Sequence, residues 1–370
     1  MRIGFDAKRI FHNSTGLGNY GRDVVRILNS RNDISHFFLF NTKKSNRENA
    51  VPMDKATIVF PKGWLWKKIP SLWRLLGQWK QINENNLDLY HGLSGEIPYS
   101  FKKNRVPRVV TIHDLIFLSH PHYYNLWDRI IYKLKFRYAC RISDHIIAIS
   151  EQTKREIIKY FKIDPNKISV VYQGCHALFK TAADLEKRLE VKTKYNLPES
   201  YVLYVGTLQD RKNALNLIKA IHGTQQHLVL VGKEKKYAQK LYAYVKQHQL
   251  QSQVTFIKDA NLEQLVAIYQ DATVFCYPSF CEGFGIPIIE ALYSKVPVIT
   301  TKDGCFPEAA GPNSIYIDPN DPVDIRNQIE KLFDDPEERA KIAAKGYDYV
   351  LRFSDDKVAQ NLMEVYQKVL

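Results

Sequence analysis

Cysteine is scarce in this 370-residue sequence: there are five, and no two of them form a Cys-x-x-Cys pair. Cys140, Cys175, Cys276, Cys281 and Cys305 are scattered and odd in number. Neither a disulfide framework nor a zinc site is expected, and the reducing cytoplasm is the expected compartment. No uninterrupted apolar run reaches the ~18 residues that a spanning helix needs. The opening residues, MRIGFDA, have no apolar h-region, so no signal peptide is expected. Tandem repeats and low-complexity tracts are also missing, which excludes solenoids and linker-like chains. What remains is 45% hydrophobic and 25% charged, the balance of a globular protein. The length is too great for one ordinary core and fits two domains.

Positive charge is in excess and unevenly placed. The chain carries 53 Lys and Arg against 39 Asp and Glu, a net +14. Residues 1–172 hold 29 basic and 14 acidic residues, +15, and the remainder is −1. A basic half beside a neutral half suits an anionic partner: a phosphorylated lipid, a membrane surface or nucleic acid.

Short apolar runs rich in β-branched residues alternate with helical patterns, the signature of parallel α/β architecture. The first half predicts strands at 3–6, 36–40, 57–60, 87–91, 108–112 and 145–149. The second predicts them at 201–205, 227–231, 254–257, 274–277, 296–300 and 314–317. The break falls near 171–200, between VYQGCHALFK and YNLPES. Open α/β sheets bind ligands at the carboxyl ends of their strands, so two such domains are expected to face each other across a central cleft.

The stretch PSFCEGFGIPIIEAL has seven residues between Glu282 and Glu290. Gly283 and Gly285 permit tight turns, and Pro287 suits the first turn of a helix beginning there. Glu282 is then expected in a loop at the strand end and Glu290 about one turn into the helix. Carboxylates so placed can accept hydrogen bonds from vicinal hydroxyls of a sugar or ribose. Two solvated glutamates are the bland alternative.

This stretch resembles the Glu-x7-Glu signature of retaining glycosyltransferases of the GT-B fold, glycosyltransferase family 4 in particular. YVLYVGTLQDRKNALNLIKAI is similar to that family's diphosphate segment, VVTIHDLIFLSHP to its strand-end His-Asp, and STGLGNYGRDVVRIL to its N-terminal glycine loop. The resemblance covers nearly the whole chain, and four motifs occur in the family's order. It implies an α/β GT-B fold of two Rossmann-like domains, an acceptor-binding 1–172 and a nucleotide-sugar-binding 173–350, with a C-terminal helix, 351–370, returning to the first. It implies that Glu282 meets the transferred sugar, and that the backbone of Gly283, Phe284 and Gly285 approaches sugar and phosphate. Glu290 would hold the ribose, Arg211 and Lys212, after Gly206, would neutralise the leaving diphosphate, and His113 would lie against the sugar with Asp114 structural. Gly16 and Gly18 resemble a flexible loop whose amides approach the donor phosphates, although relatives often have adjacent glycines there. Lys295 stands where the family usually has glycine and is read as a changed turn; Pro307-Glu308 keeps the family's Pro-Glu.

Competing readings meet specific obstacles. Gly16, Gly18 and Gly21 fit G-x-G-x-x-G, but residues 7–15 separate the first strand from Gly16, and no acid ends the second strand, FFLFNT. The dinucleotide fingerprint requires both. The His113-Asp114 pair has no nucleophile in a recognised elbow, which argues against a hydrolase. No metal-ligand cluster is evident, so no metal or other cofactor is expected to be obligatory beyond the nucleoside diphosphate sugar as co-substrate. The wording of the motifs resembles that of bacterial mannosyltransferases, which implies GDP-mannose as donor, with UDP-sugars open, and a glycan or a lipid-linked glycan as acceptor. A nucleotide-sugar hydrolase or epimerase, or a silent sugar-nucleotide or polyanion-binding protein, is the alternative.

Residues 64–80, WLWKKIPSLWRLLGQWK, hold four of the five tryptophans. Leu72, Leu75, Leu76 and Trp79 follow i, i+3, i+4, i+7 and predict a core-facing stripe. That leaves Trp64, Trp66, Trp73, Lys67 and Lys68 as a basic aromatic cluster for an anionic membrane interface. An acceptor rim or plain packing serves equally, and no nucleic-acid-binding module is present, so nucleic acid is not an expected partner.

Overall fold

In the computed structural model, which describes residues 1–99 and 106–370, the chain divides into two compact units. One comprises Met1–Gln173 with Asp355–Leu370, the other Gly174–Ser354.

The first unit is built on a seven-stranded sheet of β1 (Arg2–Asp6), β2 (His36–Phe40), β3 (Ala56–Val59), β4 (Leu89–Gly92), β5 (Arg108–Ile112), β6 (His145–Ala148) and β7 (Ile168–Val170). Their order is β3-β2-β1-β4-β5-β6-β7, with every pairing parallel. Parallel strands need crossovers, and helices cover both faces, so the strand cores are mostly apolar. The period of two still sorts them. Phe37 and Leu39 join the cluster of Ile3, Phe5 and Leu89 on one face. Phe38 and Phe40 join Tyr90, Val110 and Trp73 on the other. The final helix, Asp355–Gln367, inserts Val358, Leu362, Met363 and Tyr366 into the first cluster. Its start is tied down by Arg26, whose Nη1 lies 2.8 Å from Asp355.

The second unit holds β8 (Val202–Val205), β9 (Leu228–Val231), β10 (Val254–Ile257), β11 (Val274–Tyr277), β12 (Val298–Thr301) and β13 (Ile315–Ile317), in the order β10-β9-β8-β11-β12-β13, again all parallel. In each sheet the strand order reverses beside the first strand, between β1 and β4 and between β8 and β11. A crevice opens at the carboxyl ends of strands at such a switch point.

The expected strands are found within two residues of their predicted ends, but β7 was missed: Ile-Ser-Val is too short to show alternation. Residues 64–80 differ more. Leu72 and Leu76 are exposed, and the buried face carries Trp73, Arg74 and Gly77 instead. The cause is a π-helical turn over Trp73–Gly77, which shifts the period away from 3.6. Trp73 therefore leaves the expected surface cluster; it is fully buried and its indole N–H donates to Gln81 Oε1 at 2.9 Å. Trp64, Lys67 and Lys68 do lie at the surface. At Lys295 the backbone is left-handed, φ +57°, the conformation for which glycine is the usual choice.

One close approach shapes the end of β8. Gly232, with φ +156°, lies so near Gly206 that a Cβ on it would sit 2.0 Å from the Gly206 carbonyl oxygen. Neither backbone can yield cheaply. Gly232→Ala is expected to destabilise the fold by about 2 kcal/mol, the scale of overpacking. The readout is a lower urea midpoint at constant m value, and an unshifted midpoint would contradict the packing described.

Candidate functional site

The carboxyl ends of β8 and β11 bring together the segments that the sequence singled out in the second unit. After β8 the chain turns through Gly206 and a short 3-10 turn, Asp210–Lys212, that ends at Asn213 in a left-handed conformation, φ +58°. The buried Asn213 amide donates to the carbonyls of Pro278, at 3.0 Å, and Pro319, at 2.6 Å. Phe280 N donates to Arg211 O at 2.9 Å. These bonds clamp the β8 and β11 loops together and set Arg211, Lys212 and Glu282 side by side.

Glu282 lies between the two cations. Its Oε1 accepts from Lys212 Nζ at 2.6 Å, and its Oε2 lies 2.9 Å from Arg211 Nη1. The Tyr277 hydroxyl donates to Oε1 at 2.8 Å and accepts from Lys212 Nζ at 2.5 Å. Arg211 Nη1 also donates to Cys281 O at 2.8 Å, and the Gln209 amide oxygen, oriented to satisfy both groups, accepts from Nε and Nη2 at 3.1 Å each. With the Glu282 side chain only 11% exposed, burial would raise its pKa; Lys212 and Arg211 overcome this and hold it at about 2. Burial lowers the pKa of Lys212, against the pull of Glu282 and with repulsion from Arg211. Burial also works against Arg211, but Glu282 keeps its pKa above the ordinary value. Two cations on one carboxylate leave the cluster with one net positive charge. These contacts use four of the five Arg211 N–H groups and two of the three on Lys212.

The loop then leads to the helix Ile286–Tyr293, entered through Gly285 with φ +118° and Pro287 in the first turn. Phe284 is buried edge-on against Phe353, ring centroids 5.5 Å apart, so only the backbone of 283–285 can serve a ligand closely. The Cys305 thiol lies 3.3 and 3.1 Å from the Glu282 and Phe284 carbonyls. Glu290 stands one turn into the helix, and its Oε2 accepts from the Tyr269 hydroxyl at 2.9 Å. The sequence reading passed over Tyr277 and Tyr269. Both lie in apolar runs where an aromatic reads as core, and both rings are in fact buried; only the direction of the hydroxyl gives each a polar role.

In the first unit, His113 follows β5 directly. Its Nε2 donates to Leu93 O at 2.8 Å, Nδ1 lies 3.4 Å from Gln173 Nε2, and Tyr20 packs edge-on at 4.7 Å. Burial lowers its pKa to about 4, so the imidazole is neutral at physiological pH. Asp114 Oδ1 accepts from Ile116 N at 3.2 Å, a local turn contact. Gly16 and Gly18 differ from the expected flexible loop: they occupy the first turn of the helix Gly16–Asn29. A Cβ at 18 would lie 2.0 Å from Asn13 O, whereas Gly16 has open space around it, so packing alone accounts for glycine at 18.

Two parallel-sheet units, each reversing its strand order beside its first strand, are the architecture of the GT-B fold. Known proteins agree. Residues 14–177 match the family described as Glycosyltransferase Family 4, and residues 186–349 match that described as Glycosyl transferases group 1. The chain is a family 4-like glycosyltransferase of the GT-B fold. It is 26% identical to the O-antigen chain mannosyltransferase B of Escherichia coli over 99% of this chain and 100% of that one. It is 29% identical to the O-antigen chain mannosyltransferase RfbU of Salmonella typhimurium over 68% and 67%. Similar solved structures include Anabaena Alr3699/HepE in complex with UDP, TM-score 0.78 at 18% identity with both chains covered fully. Another is a Rickettsia africae glycosyltransferase, TM-score 0.80 at 16% identity, covering 100% of this chain and 98% of that one.

The Glu282 geometry makes stability depend on acid. A carboxyl whose pKa falls from 4.5 to about 2 on folding contributes stability that is fully present above pH 4.5 and lost as pH falls toward 2. Glu282→Gln is expected to remove that part of the acid limb. At neutral pH it should cost about 3 kcal/mol, because two buried cations lose their carboxylate. Urea titrations of both proteins from pH 7 to 2.5 provide the check, and parallel pH profiles would contradict the buried ion triad.

Proposed function

We propose that the protein transfers mannose from GDP-mannose to an acceptor hydroxyl with retention of anomeric configuration, in the assembly of a surface glycan of the O-antigen type. The observation that carries this reading is the Arg211–Glu282–Lys212 triad, with its residual positive charge, at the switch point of the second sheet. Mannose and the O-antigen class are suggested by the mannosyltransferases to which the chain is similar over two thirds of its length or more. A nucleoside diphosphate sugar as co-substrate is in keeping with the neighbouring fold that holds UDP.

In the proposed reaction the bond between the anomeric carbon and the diphosphate oxygen breaks, and its electron pair goes to the leaving phosphate. Charge concentrates there, and the two cations stabilise it from positions already fixed by Glu282, Tyr277 and Gln209, so little reorganisation accompanies the step. The acceptor hydroxyl attacks the same face and gives its proton to the departing phosphate oxygen, with no protein nucleophile. His113, neutral and committed through Nε2 to Leu93, acts as a packing and hydrogen-bonding wall for the sugar rather than as a base. Glu282 meets sugar hydroxyls while holding the cations, and Glu290, oriented by Tyr269, receives the ribose hydroxyls. The backbone of Gly206, Gly283, Phe284 and Gly285 lets the phosphates approach. The second unit thus binds the donor, and the basic first unit binds the acceptor, a glycan on a lipid at the cytoplasmic membrane face.

The assay is release of nucleotide from a panel of GDP- and UDP-sugars, with and without lipid acceptor extracts, followed by determination of the anomeric configuration of the product. Acceptor-dependent turnover of GDP-mannose to an α-mannoside is the expected result; release without transfer in every case indicates a hydrolase. Arg211→Ala and Lys212→Ala are each expected to lower kcat by about 10²- to 10³-fold, the scale for one electrostatic donor. Unchanged kcat in both variants would remove the triad from the chemistry. Glu290→Gln is expected instead to weaken binding of the free nucleoside diphosphate in calorimetry, an effect that Glu282→Gln should largely lack.

A further inference from the structure

The helix Leu126–Ile142 of the first unit buries only Ala139 and Cys140 fully, although it is 17 residues long. Its outward face is apolar. Leu126 is 61% exposed, Trp127 74% and Leu134 60%, and Ile130 and Ile131 between them are exposed as well. Leu126, Ile130 and Leu134 are spaced i, i+4, i+8 and form one row; Trp127 and Ile131 form the row beside it. Lys133, Arg137 and Arg141, again i, i+4, i+8, form the row on its other side and run on toward the helix carboxyl end, all three exposed. The helix carries five basic residues and one acid, Asp128, which is engaged at its amino end by Asn125. The apolar rows are therefore bordered on one side by a row of cations.

A second exposed apolar segment lies across a single loop from this one. Trp64, Leu65, Ile69 and Leu76 are exposed beside Lys67 and Lys68. Glu96, in the loop after β4, links the two segments: it pairs with Arg74 of the π-helical turn, and its Oε1 lies 3.9 Å from Lys135 Nζ. The Leu126–Ile142 helix also packs toward the strand end that carries His113. Phe117, four residues after His113, meets Tyr132 and Phe136 edge-on at 5.7 and 5.4 Å.

We propose that the outward face of the helix Leu126–Ile142 is the main docking surface for an anionic lipid bilayer, with the Trp64–Leu76 segment as a flanking contact. Charge complementarity selects this occupant. A partner helix or a second copy would be expected to meet an apolar seam with mixed charges at its edges, whereas the charges that this helix itself places beside its apolar rows are cations apart from Asp128, and Glu96 of the neighbouring loop is paired with Arg74. Leucine, isoleucine and tryptophan beside arginine and lysine suit the boundary between headgroups and acyl chains. Each cation adds attraction to anionic headgroups that decays within a Debye length. Among the described residues no helix is long and apolar enough to cross a membrane, and the contact is peripheral. The proposal rests on the reading of the chain as a transferase with a lipid-linked acceptor, to which it adds the element that brings the His113 end of the first sheet to the membrane.

The test uses the full chain and vesicles of phosphatidylglycerol with phosphatidylethanolamine, alongside neutral phosphatidylcholine vesicles. Native protein should sediment with the anionic vesicles and be released by salt. Combined Leu126→Ser, Trp127→Ser, Ile130→Ser and Leu134→Ser should lower the partition coefficient at least about tenfold; the loss of four inserted side chains exceeds the ~1.4 kcal/mol that tenfold represents. Arg137→Gln with Arg141→Gln should remove most of the salt-dependent part, and Lys67→Glu with Lys68→Glu should weaken binding less than the serine variant does. In brominated-lipid quenching, Trp127→Phe should bind but lose most of the quenched fluorescence. All these positions are exposed, so folding and nucleoside diphosphate binding, measured on the same preparations, should match the native protein. The proposal is overturned if native protein ignores anionic vesicles or if the serine variant binds them as well as native. It is also overturned if native protein is a concentration-dependent dimer that the serine variant dissolves. Loss of nucleotide binding in native protein would instead count against the transferase reading while leaving vesicle binding as its own result.

Discussion

Glu282 between Arg211 and Lys212 is the interaction on which the rest of the second unit depends. Three charges at this depth are costly to desolvate, and they persist because each is paired at hydrogen-bond distance and because the surrounding loops cannot separate them. Asn213 closes the β8 loop by bonding to Pro278 and Pro319, Phe280 returns a bond to Arg211, and Tyr277 fills the angle between Glu282 and Lys212. On the other side of β8, Gly232 lets the end of β9 pack closely against Gly206. The carboxylate serves as a brace: two cations that would repel each other are fixed about one anion, and the cluster keeps a surplus positive charge. Such prepaid organisation is what a developing phosphate charge requires.

The first unit uses a different device. Around β4 and β5 its buried polar groups are neutral hydrogen-bonding partners: His91 lies between Tyr366 and Thr111, each at 2.8 Å, and Tyr20 reaches Thr111 at 3.0 Å while its ring supports His113; the end of β1 instead carries a buried ion pair, Asp6 with Arg74. Burial lowers both histidines, His91 to about 3 and His113 to about 4. The basic excess of this half of the chain lies on surface elements such as the helix Leu126–Ile142. Tyr366 belongs to the final helix, so the last residues of the chain complete the packing of the first sheet.

Much of this was legible in the sequence, and for identifiable reasons. Parallel strands buried on both faces read as apolar runs, so twelve of the thirteen were placed within two residues of their ends, and β7, three residues long, was not. Arg211, Lys212 and Glu282 were marked by their motifs, and the structure brings these three together. Their braces were not visible, because Tyr277 and Tyr269 look like core residues until their hydroxyls have partners. The i, i+3, i+4, i+7 leucines at 72–79 failed because that rule presumes 3.6 residues per turn, and a π-helical turn intervenes. Gly16 and Gly18 were read as a loop pair, but a helix begins at 16, and 18 is glycine to clear the Asn13 carbonyl. The apolar rows of Leu126–Ile142 carry a subtler lesson. Hydrophobic spacing on a helix is ordinarily a sign of burial, and only the fold reveals a face that is exposed among the described residues.

The account stands or falls on where a bound diphosphate lies. A crystal structure of the protein with GDP and with a non-transferable GDP-mannose analogue is the most direct measurement. The account predicts diphosphate oxygens at about 2.7–3.1 Å from Arg211 and Lys212 nitrogen atoms, with the Glu282 carboxylate still touching both cations or turned toward a sugar hydroxyl. A diphosphate bound elsewhere, with the Arg211–Glu282–Lys212 cluster closed and untouched, would contradict it.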